Sequence, residues 1–170
     1  NAPDGLVGDQ RRFVKFNGAI GAEQLQWLDD TLRAAALAGE KVIVCGHNPF
    51  CRGSADPMCL LWNYEEVMAL FWKHDCVVAT ITGHDHPGGY CIDERGIHHV
   101  VMPALLESPP NSNAFATCDL YPSHAVLRGY GTVHSRTLTF KPTPAPSAVT
   151  TTGQNEPTQV EDDTTTQQLD

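Results

Sequence analysis

Two short apolar runs in this sequence each stop at a glycine followed by a histidine. Residues 41–45 (KVIVC) lead into His47, and residues 76–82 (CVVATIT) lead into His84. Runs this short, rich in β-branched residues and bounded by turn residues, predict buried strands of a sheet. Because open α/β sheets bind ligands at the carboxyl ends of their strands, we expect both histidines at one cleft.

The residues around these runs predict the rest of an α/β fold. Residues 22–38 place leucines at spacings of three and four, and residues 63–74 open with a helix-capping pattern and keep one apolar face. The order helix, strand, helix, strand is typical of a layered α/β sheet. An extended piece is expected at 12–16. Further strands without intervening helices are predicted at 97–102, 114–121, 124–130 and 134–140.

Length and composition predict one folded domain and a tail. The chain has 170 residues, 41% hydrophobic and 18% charged, which fits a single globular unit over residues 1–140. Residues 141–170 are rich in Pro, Thr and Gln and hold few large aliphatic side chains, which predicts a disordered acidic tail. No run approaches the ~18 consecutive apolar residues of a membrane span, so no membrane partner is expected.

Charge and cysteine usage exclude further classes. The net charge is −9 and the basic residues are scattered apart from Arg11 and Arg12, whereas nucleic-acid-binding proteins carry a basic stripe. None of the six cysteines has C-x-x-C spacing, and Cys45 and Cys76 lie in predicted strands, which favours free thiols of a cytoplasmic protein over a disulfide framework. Cys45 close to His47 also suggests a thiol nucleophile, but its place in an apolar run argues against an exposed thiolate.

A candidate metal site combines His47 with the triplet His84-x-His86. On extended backbone, residues two apart face the same side, so both imidazoles of the triplet can enter one cleft. Three neutral imidazoles suit a divalent ion such as Mn²⁺, Zn²⁺, Fe²⁺ or Co²⁺. For His47 alone, a capping or core histidine is an equal alternative.

The other histidines are left outside the site. His98 and His99 alternate on a predicted strand, so one is expected to face the cleft and the other the solvent. His74, His124 and His134 are expected at surface or hairpin positions.

The order strand, Gly-His-x-Pro, helix, strand, Gly-His-x-His resembles the last two motifs of the calcineurin-like metallophosphoesterases. Residues 16–18 (FNG), 59–64 (CLLWNY) and 83–90 (GHDHPGGY) resemble the manganese-dependent ADP-ribose/CDP-alcohol diphosphatase branch of that superfamily. The resemblance covers residues 1–140. It implies a layered α/β sandwich of two β-sheets flanked by helices, of which this chain is the C-terminal half.

The resemblance also implies an activity and a cofactor. Two divalent ions, Mn²⁺ foremost, would activate water for hydrolysis of the diphosphate bond in small nucleotide conjugates such as ADP-ribose and CDP-alcohols. His47 and His84 would bind one ion and His86 the other. The partner would be a small nucleotide-diphosphate substrate rather than a nucleic acid.

Four further residues are candidate substrate contacts. Cys59, Trp62 and Asn63 follow the His47 turn and offer an apolar wall and a polar group to a nucleobase. Packing at the start of a helix is an equal alternative for these three. Tyr90 follows two glycines that permit close approach to a ligand, with a plain turn as the alternative.

The earlier motifs of the resembled family do not occur in this sequence. Asp-x-His, Gly-Asp-x-x-Asp and Gly-Asn-His-Asp/Glu would supply four more ligands and a general-acid histidine. We therefore expect the isolated chain to be inactive and a missing N-terminal half to complete the site. Two other classes stay open: a non-catalytic metal-binding or regulatory module, and a structural α/β interaction domain.

Overall fold

The structure is a computed structural model that describes residues 5–142. Two α-helices and seven strands, arranged in two sheets, form this described part. In chain order they are α1 (Ala22–Leu37), β1 (Val42–Cys45), α2 (Tyr64–His74), β2 (Val77–Thr82), β3 (Gly89–Ile92), β4 (His98–Val101), β5 (Ala114–Tyr121), β6 (His124–Gly131) and β7 (Arg136–Thr139). The tail predicted for 141–170 lies outside the described residues, except for residues 141 and 142.

The first sheet has the strand order β1-β2-β4-β3. Strands β1, β2 and β4 are parallel, and β3 is antiparallel to β4. The second sheet is an antiparallel meander, β5-β6-β7, whose first hairpin turns at Pro122 and Ser123. A parallel sheet needs cover on both faces, and here the helices and the meander supply it.

Two hydrophobic clusters hold these layers together. Leu32 of α1 and Phe71 of α2 pack with Val77 of β2, which joins both helices to one face of the first sheet. On the opposite face, Val100 packs with Leu138 of the meander. The predicted layered α/β sandwich is therefore the observed architecture.

The edge position of β1 corrects one expectation. The run 41–45 was expected to be buried, but its residues are exposed or half-exposed, and Cys45 is exposed. The reason is that, within residues 5–142, β1 pairs with β2 alone and occupies the edge of the sheet. The sequence of this run is typical of a buried strand, but in the described part of the chain the strand lies at the sheet edge and is partly exposed.

The histidines of β4 were also misplaced by the sequence pattern. His98 and His99 are both buried, because β4 is an inner strand covered on both faces. His98 places Nδ1 2.8 Å from the Tyr90 hydroxyl, and its Nε2 donates to the Thr139 carbonyl oxygen at 2.9 Å. The expectation that one of the two side chains would face the solvent is therefore wrong.

Three smaller differences concern local structure. Residues Gly8–Arg12 form a 3₁₀ helix, and no strand occupies the described segment 12–16 where an extended piece was expected. Strand β3 was not predicted, because four residues beginning with glycine carry little strand signal. The His74 side chain is only 8% exposed and pairs with Asp29, so its predicted surface position is wrong.

Among the described residues, neither helix has the length and hydropathy that crossing a bilayer requires.

The Phe71→Ala substitution tests the helix–sheet core. Phe71 has no exposed surface and meets Phe50 edge to face, with ring centroids 5.6 Å apart. We expect a loss of about 3–5 kcal/mol in the free energy of unfolding, measured by urea denaturation, because the substitution leaves a cavity.

The same substitution at Phe115 is the matched control. Phe115 is 47% exposed and stacks on Tyr130 across the meander. Loss of this stacking should lower the free energy of unfolding by about 0.5–1.5 kcal/mol, in addition to the cost of the area that the half-exposed ring buries. Equal losses at both positions would contradict the assignment of Phe71 to the core.

Candidate metal centre

Parallel pairing of β1 with β2 brings the two Gly-His turns together. Cys45 is in register with Ile81, so both strands end at the same edge of the sheet. The pairing continues past the strands, because Gly83 N–H donates to the His47 carbonyl oxygen at 3.0 Å. The two rings consequently meet, with His84 Nδ1 3.1 Å from His47 Nε2 and ring centroids 4.9 Å apart.

The backbone at His84 is in the left-handed region, with φ at 68°. The Asp85 N–H donates to the Gly83 carbonyl oxygen at 2.8 Å, which closes a tight turn around His84. A second bond, from Gly88 N–H to the Asp85 carbonyl oxygen at 2.8 Å, holds the turn that follows. Strain of this kind costs about 1–3 kcal/mol and is concentrated at functional sites.

Asn17 orients the His84 ring from beneath. The Asn17 side chain is buried, and the two hydrogens of its amide nitrogen are shared among three backbone carbonyls, at 2.7 Å to Met58, 2.8 Å to Arg12 and 3.1 Å to Leu60. The amide oxygen therefore faces His84, 2.7 Å from Nε2. Because an oxygen only accepts, Nε2 of a neutral His84 carries the proton and Nδ1 keeps its lone pair.

The sequence analysis did not assign Asn17 to the site. The residue lies within the stretch 16–18 that carries part of the family resemblance. Its contact with His84 spans 67 positions, however, and no spacing pattern announces a contact of that range.

His86 lies within electrostatic reach of His84 but contacts a different residue. Its Nδ1 is 2.8 Å from Glu107 Oε1, and both side chains are about half-exposed. Burial lowers the pKa of His84, and the neighbouring His47 and His86 lower it further. The neutral imidazole, which is the form that binds metals, is therefore favoured at His84.

The donor atoms present fit part of a metal site. Metal–nitrogen bonds of about 2.1 Å place adjacent ligand nitrogens about 3.0–3.4 Å apart, and the His47–His84 nitrogen pair is at 3.1 Å. No group of three or more His, Cys, Asp or Glu side chains within residues 5–142 is arranged to hold an ion. The two imidazoles can thus occupy two positions on one ion, and the remaining positions need other groups.

Cys59 and Trp62 lie on the segment that precedes α2. Burial raises the pKa of Cys59 to about 11, with Asp85 of the second turn adding to the effect, so this thiol is neutral and adjacent to that turn. Trp62 is 37% exposed, and its carbonyl oxygen accepts a hydrogen bond from Arg12 Nε at 2.8 Å. Part of the Trp62 indole is therefore exposed to solvent, while a hydrogen bond holds the backbone of the residue in place.

Asn63 and Tyr90 have their polar atoms engaged within the protein. Asn63 precedes α2, but its side chain makes no capping bond and instead pairs with both backbone groups of Ile20, at 3.0 and 2.9 Å. The Tyr90 hydroxyl bonds to His98, and Arg136 stacks on the Tyr90 ring at 4.1 Å. Both residues hold neighbouring segments in place.

Comparison with known proteins identifies relatives over most of this chain. No protein-family model matches it. The chain is 46% identical over 142 residues to the manganese-dependent ADP-ribose/CDP-alcohol diphosphatase of Oryza sativa subsp. japonica, and 40% identical over 141 residues to the Homo sapiens protein of the same name. The chain is a partial-length homologue of these diphosphatases.

The diphosphatase relatives are longer than this chain. The aligned regions cover 84% of this chain and 44% of the rice protein, and 83% and 41% in the human comparison. The chain therefore spans less than half the length of the curated relatives it matches. The branch that residues 16–18, 59–64 and 83–90 indicated is confirmed.

A solved structure confirms the fold. The crystal structure of a dimetal phosphatase from Danio rerio superposes with a TM-score of 0.79 and 42% sequence identity, covering 83% of this chain and 45% of that one. A metallophosphoesterase fold, predicted from two strand ends, is therefore the fold of this diphosphatase homologue.

The Asn17–His84 hydrogen bond predicts one ring tautomer. Long-range ¹⁵N–¹H NMR of ring-labelled histidine, recorded above the lowered pKa of His84, should show a protonated Nε2 and an unprotonated Nδ1. The opposite tautomer would contradict this orientation of the pair. A His134→Ala sample serves to exclude assignment errors. Its His84 signals should be unchanged, because His134 is exposed on the loop between β6 and β7.

Proposed function

We propose that the protein containing this chain is a metal-dependent hydrolase of the diphosphate bond in small nucleotide conjugates such as ADP-ribose and CDP-alcohols. The observation that carries the proposal is the contact between His47 and His84 at two adjacent strand ends. Support comes from the relatives, which are named manganese-dependent ADP-ribose/CDP-alcohol diphosphatases, and from the structural neighbour, named a dimetal phosphatase.

Three imidazoles have proposed roles at a pair of Mn²⁺ ions. His47 and His84 would bind one ion, and His86 would bind the other after leaving Glu107. A bound divalent pair supplies Lewis-acid polarisation of phosphoryl oxygens and a water of lowered pKa. The part played by this chain is to present neutral, correctly turned imidazoles, and Asn17 does so for His84 by accepting from Nε2.

Two side chains are proposed to contact the substrate directly. The exposed Trp62 indole offers a face on which a nucleobase can stack. The neutral Cys59 thiol adjoins the turn that carries His84 and His86, and would form part of an apolar wall. Asn63 and Tyr90 are proposed to shape the binding surface through the contacts that already hold their polar atoms.

The isolated chain is proposed to be inactive until an N-terminal half packs against it. Strand β1 is an edge within the described residues, and a groove of about 360 Å³ opens beside it, lined by apolar residues that include Trp27 and Val44, with His47 at its end. Trp27 is 61% exposed, which is unusual for so large an apolar side chain. An upstream segment covering this groove would also bring carboxylate ligands to His47.

The cytoplasm is the proposed compartment. All six cysteines are free, including a pair whose sulfurs are only 3.5 Å apart. Free thiols are typical of a reducing environment.

A non-catalytic metal-binding module is the second candidate function. It is favoured by the absence, within residues 5–142, of any cluster of three or more ligands arranged for an ion. Such a module would bind Mn²⁺ weakly and would release no product from a diphosphate.

Activity of the full-length protein separates the two functions. With Mn²⁺, it should convert ADP-ribose to AMP and ribose 5-phosphate. The reaction is measured by chromatography of the AMP that is released. His84→Ala should lower the rate at least about 100-fold, because the ion loses one of its protein ligands. Removal of Mn²⁺ by a chelator should stop the reaction, and the 170-residue chain alone should release no AMP.

His134→Ala is the matched control, because His134 is exposed on the loop between β6 and β7. It should keep the wild-type rate. Turnover retained by a folded His84→Ala protein would remove His84 from the site. Metal binding without any turnover in the full-length protein would support the non-catalytic module instead.

A further inference from the structure

A second cluster of reactive side chains lies beside the candidate metal centre and takes no part in it. Cys51 follows the His47 turn, and Cys91 lies in β3. Their sulfur atoms are 3.5 Å apart, both side chains are half-buried, and both thiols are free. A disulfide needs sulfurs about 2.05 Å apart, so a small rotation of either side chain would suffice to form one.

Two glycines hold the two thiols in this position. Gly53 lies so close to the Cys91 side chain that a Cβ at that position would be 3.2 Å from the sulfur. Gly89 packs so tightly on the Ser54 carbonyl oxygen that a Cβ there would be 2.0 Å away. The loop that carries Cys51 therefore lies against β3 at two points, which keeps the backbones of the two cysteines close together.

A buried imidazole completes the cluster. His99 is directly opposite Cys91 in the antiparallel β3–β4 pair, so both side chains are on one face of the sheet. His99 is 1% exposed and its Nδ1 bonds to Thr80, while its Nε2 makes no hydrogen bond within the described residues and lies 3.5 Å from Asp93 Oδ2. The hydrogen bond from Cys91 lowers the pKa of Cys51, and the nearby His99 lowers it further against the opposing effect of burial.

We propose that Cys51 and Cys91 form a peroxide-sensitive dithiol that closes to a disulfide. The Cys51 thiol gives its proton to His99 Nε2, and the thiolate attacks one oxygen of hydrogen peroxide. An S–O bond forms, the O–O bond breaks, and the departing hydroxide takes the proton held on His99 Nε2 and leaves as water.

The second step consumes the sulfenic acid so formed on Cys51. The Cys91 sulfur attacks the Cys51 sulfur, an S–S bond replaces the S–O bond, and the Cys91 proton leaves with the hydroxide as a second water. Two thiols lose two electrons, and one peroxide becomes two waters. The product ties the loop after His47 to the strand after His86.

Oxidation is expected to favour this pair over Cys59, Cys76 and Cys118. Cys76 is buried, and its thiol donates a hydrogen bond to the Leu32 carbonyl oxygen. The pKa of Cys59 is raised to about 11. Cys118 is exposed but its pKa is raised, by partial burial and then by Asp119. A thiol that stays protonated reacts slowly with peroxide.

Peptide mapping tests the proposal on the purified full chain. After treatment with one equivalent of hydrogen peroxide and alkylation of the remaining thiols, non-reducing digestion with trypsin should link peptide 42–52 to peptide 74–95. Each peptide contains a second cysteine, so fragment-ion sequencing must place the bridge at Cys51 and Cys91. Dithiothreitol should reverse the link, and the oxidised protein should unfold about 5–15 °C higher, because the bridge restricts the unfolded chain.

Serine variants provide the controls. Cys91→Ser should stop at a Cys51 sulfenic acid that dimedone traps, and Cys118→Ser should form the bridge as the wild type does. The proposal is overturned by a bridge to Cys45, Cys59 or Cys76, or by both thiols remaining alkylatable when Cys118 has been oxidised. The wild-type map decides the question even where a variant fails to fold.

Discussion

The parallel pairing of β1 with β2 is the constraint on which the rest of this molecule depends. Two strands in register end together, so the turns that follow them must share one edge of the sheet. The ladder bond from Gly83 to His47 extends the pairing by one step and leaves the imidazoles in contact. The helices on one face and the meander on the other make this pairing energetically possible, because a parallel sheet must be covered on both sides.

Polar groups buried beneath the turns convert this proximity into a defined chemical state. Asn17 satisfies three carbonyls with its amide nitrogen and has only its oxygen left for His84, so the ring orientation follows from the satisfaction of buried backbone groups. The same principle governs β4, where Tyr90 and Thr139 satisfy both nitrogens of His98. His99 is the exception, because its Nε2 makes no hydrogen bond in the described part of the chain and has only the Asp93 carboxylate 3.5 Å away and two thiols nearby.

The sequence predicted the features that rest on local patterns. Both helices and the layered architecture follow from apolar periodicity and from the order of strands and turns, whereas the family came from the resemblance of short motifs. The structure and the relatives confirm all three. The features that were missed are set by distant contacts. The exposure of Cys45 reflects an edge position that the apolar run cannot express, the burial of His99 reflects cover on both faces of β4, and the role of Asn17 depends on a residue 67 positions away. The ligand roles of His47, His84 and His86 remain predictions.

The central claim is that His47 and His84 share one metal ion. It is tested most directly by anomalous diffraction at the manganese edge from crystals of the full-length protein grown with Mn²⁺. We predict a peak about 2.0–2.3 Å from both His84 Nδ1 and His47 Nε2, with His84 Nε2 still bonded to Asn17. A manganese peak bonded to neither imidazole, in crystals where the two rings keep their contact, would contradict the account.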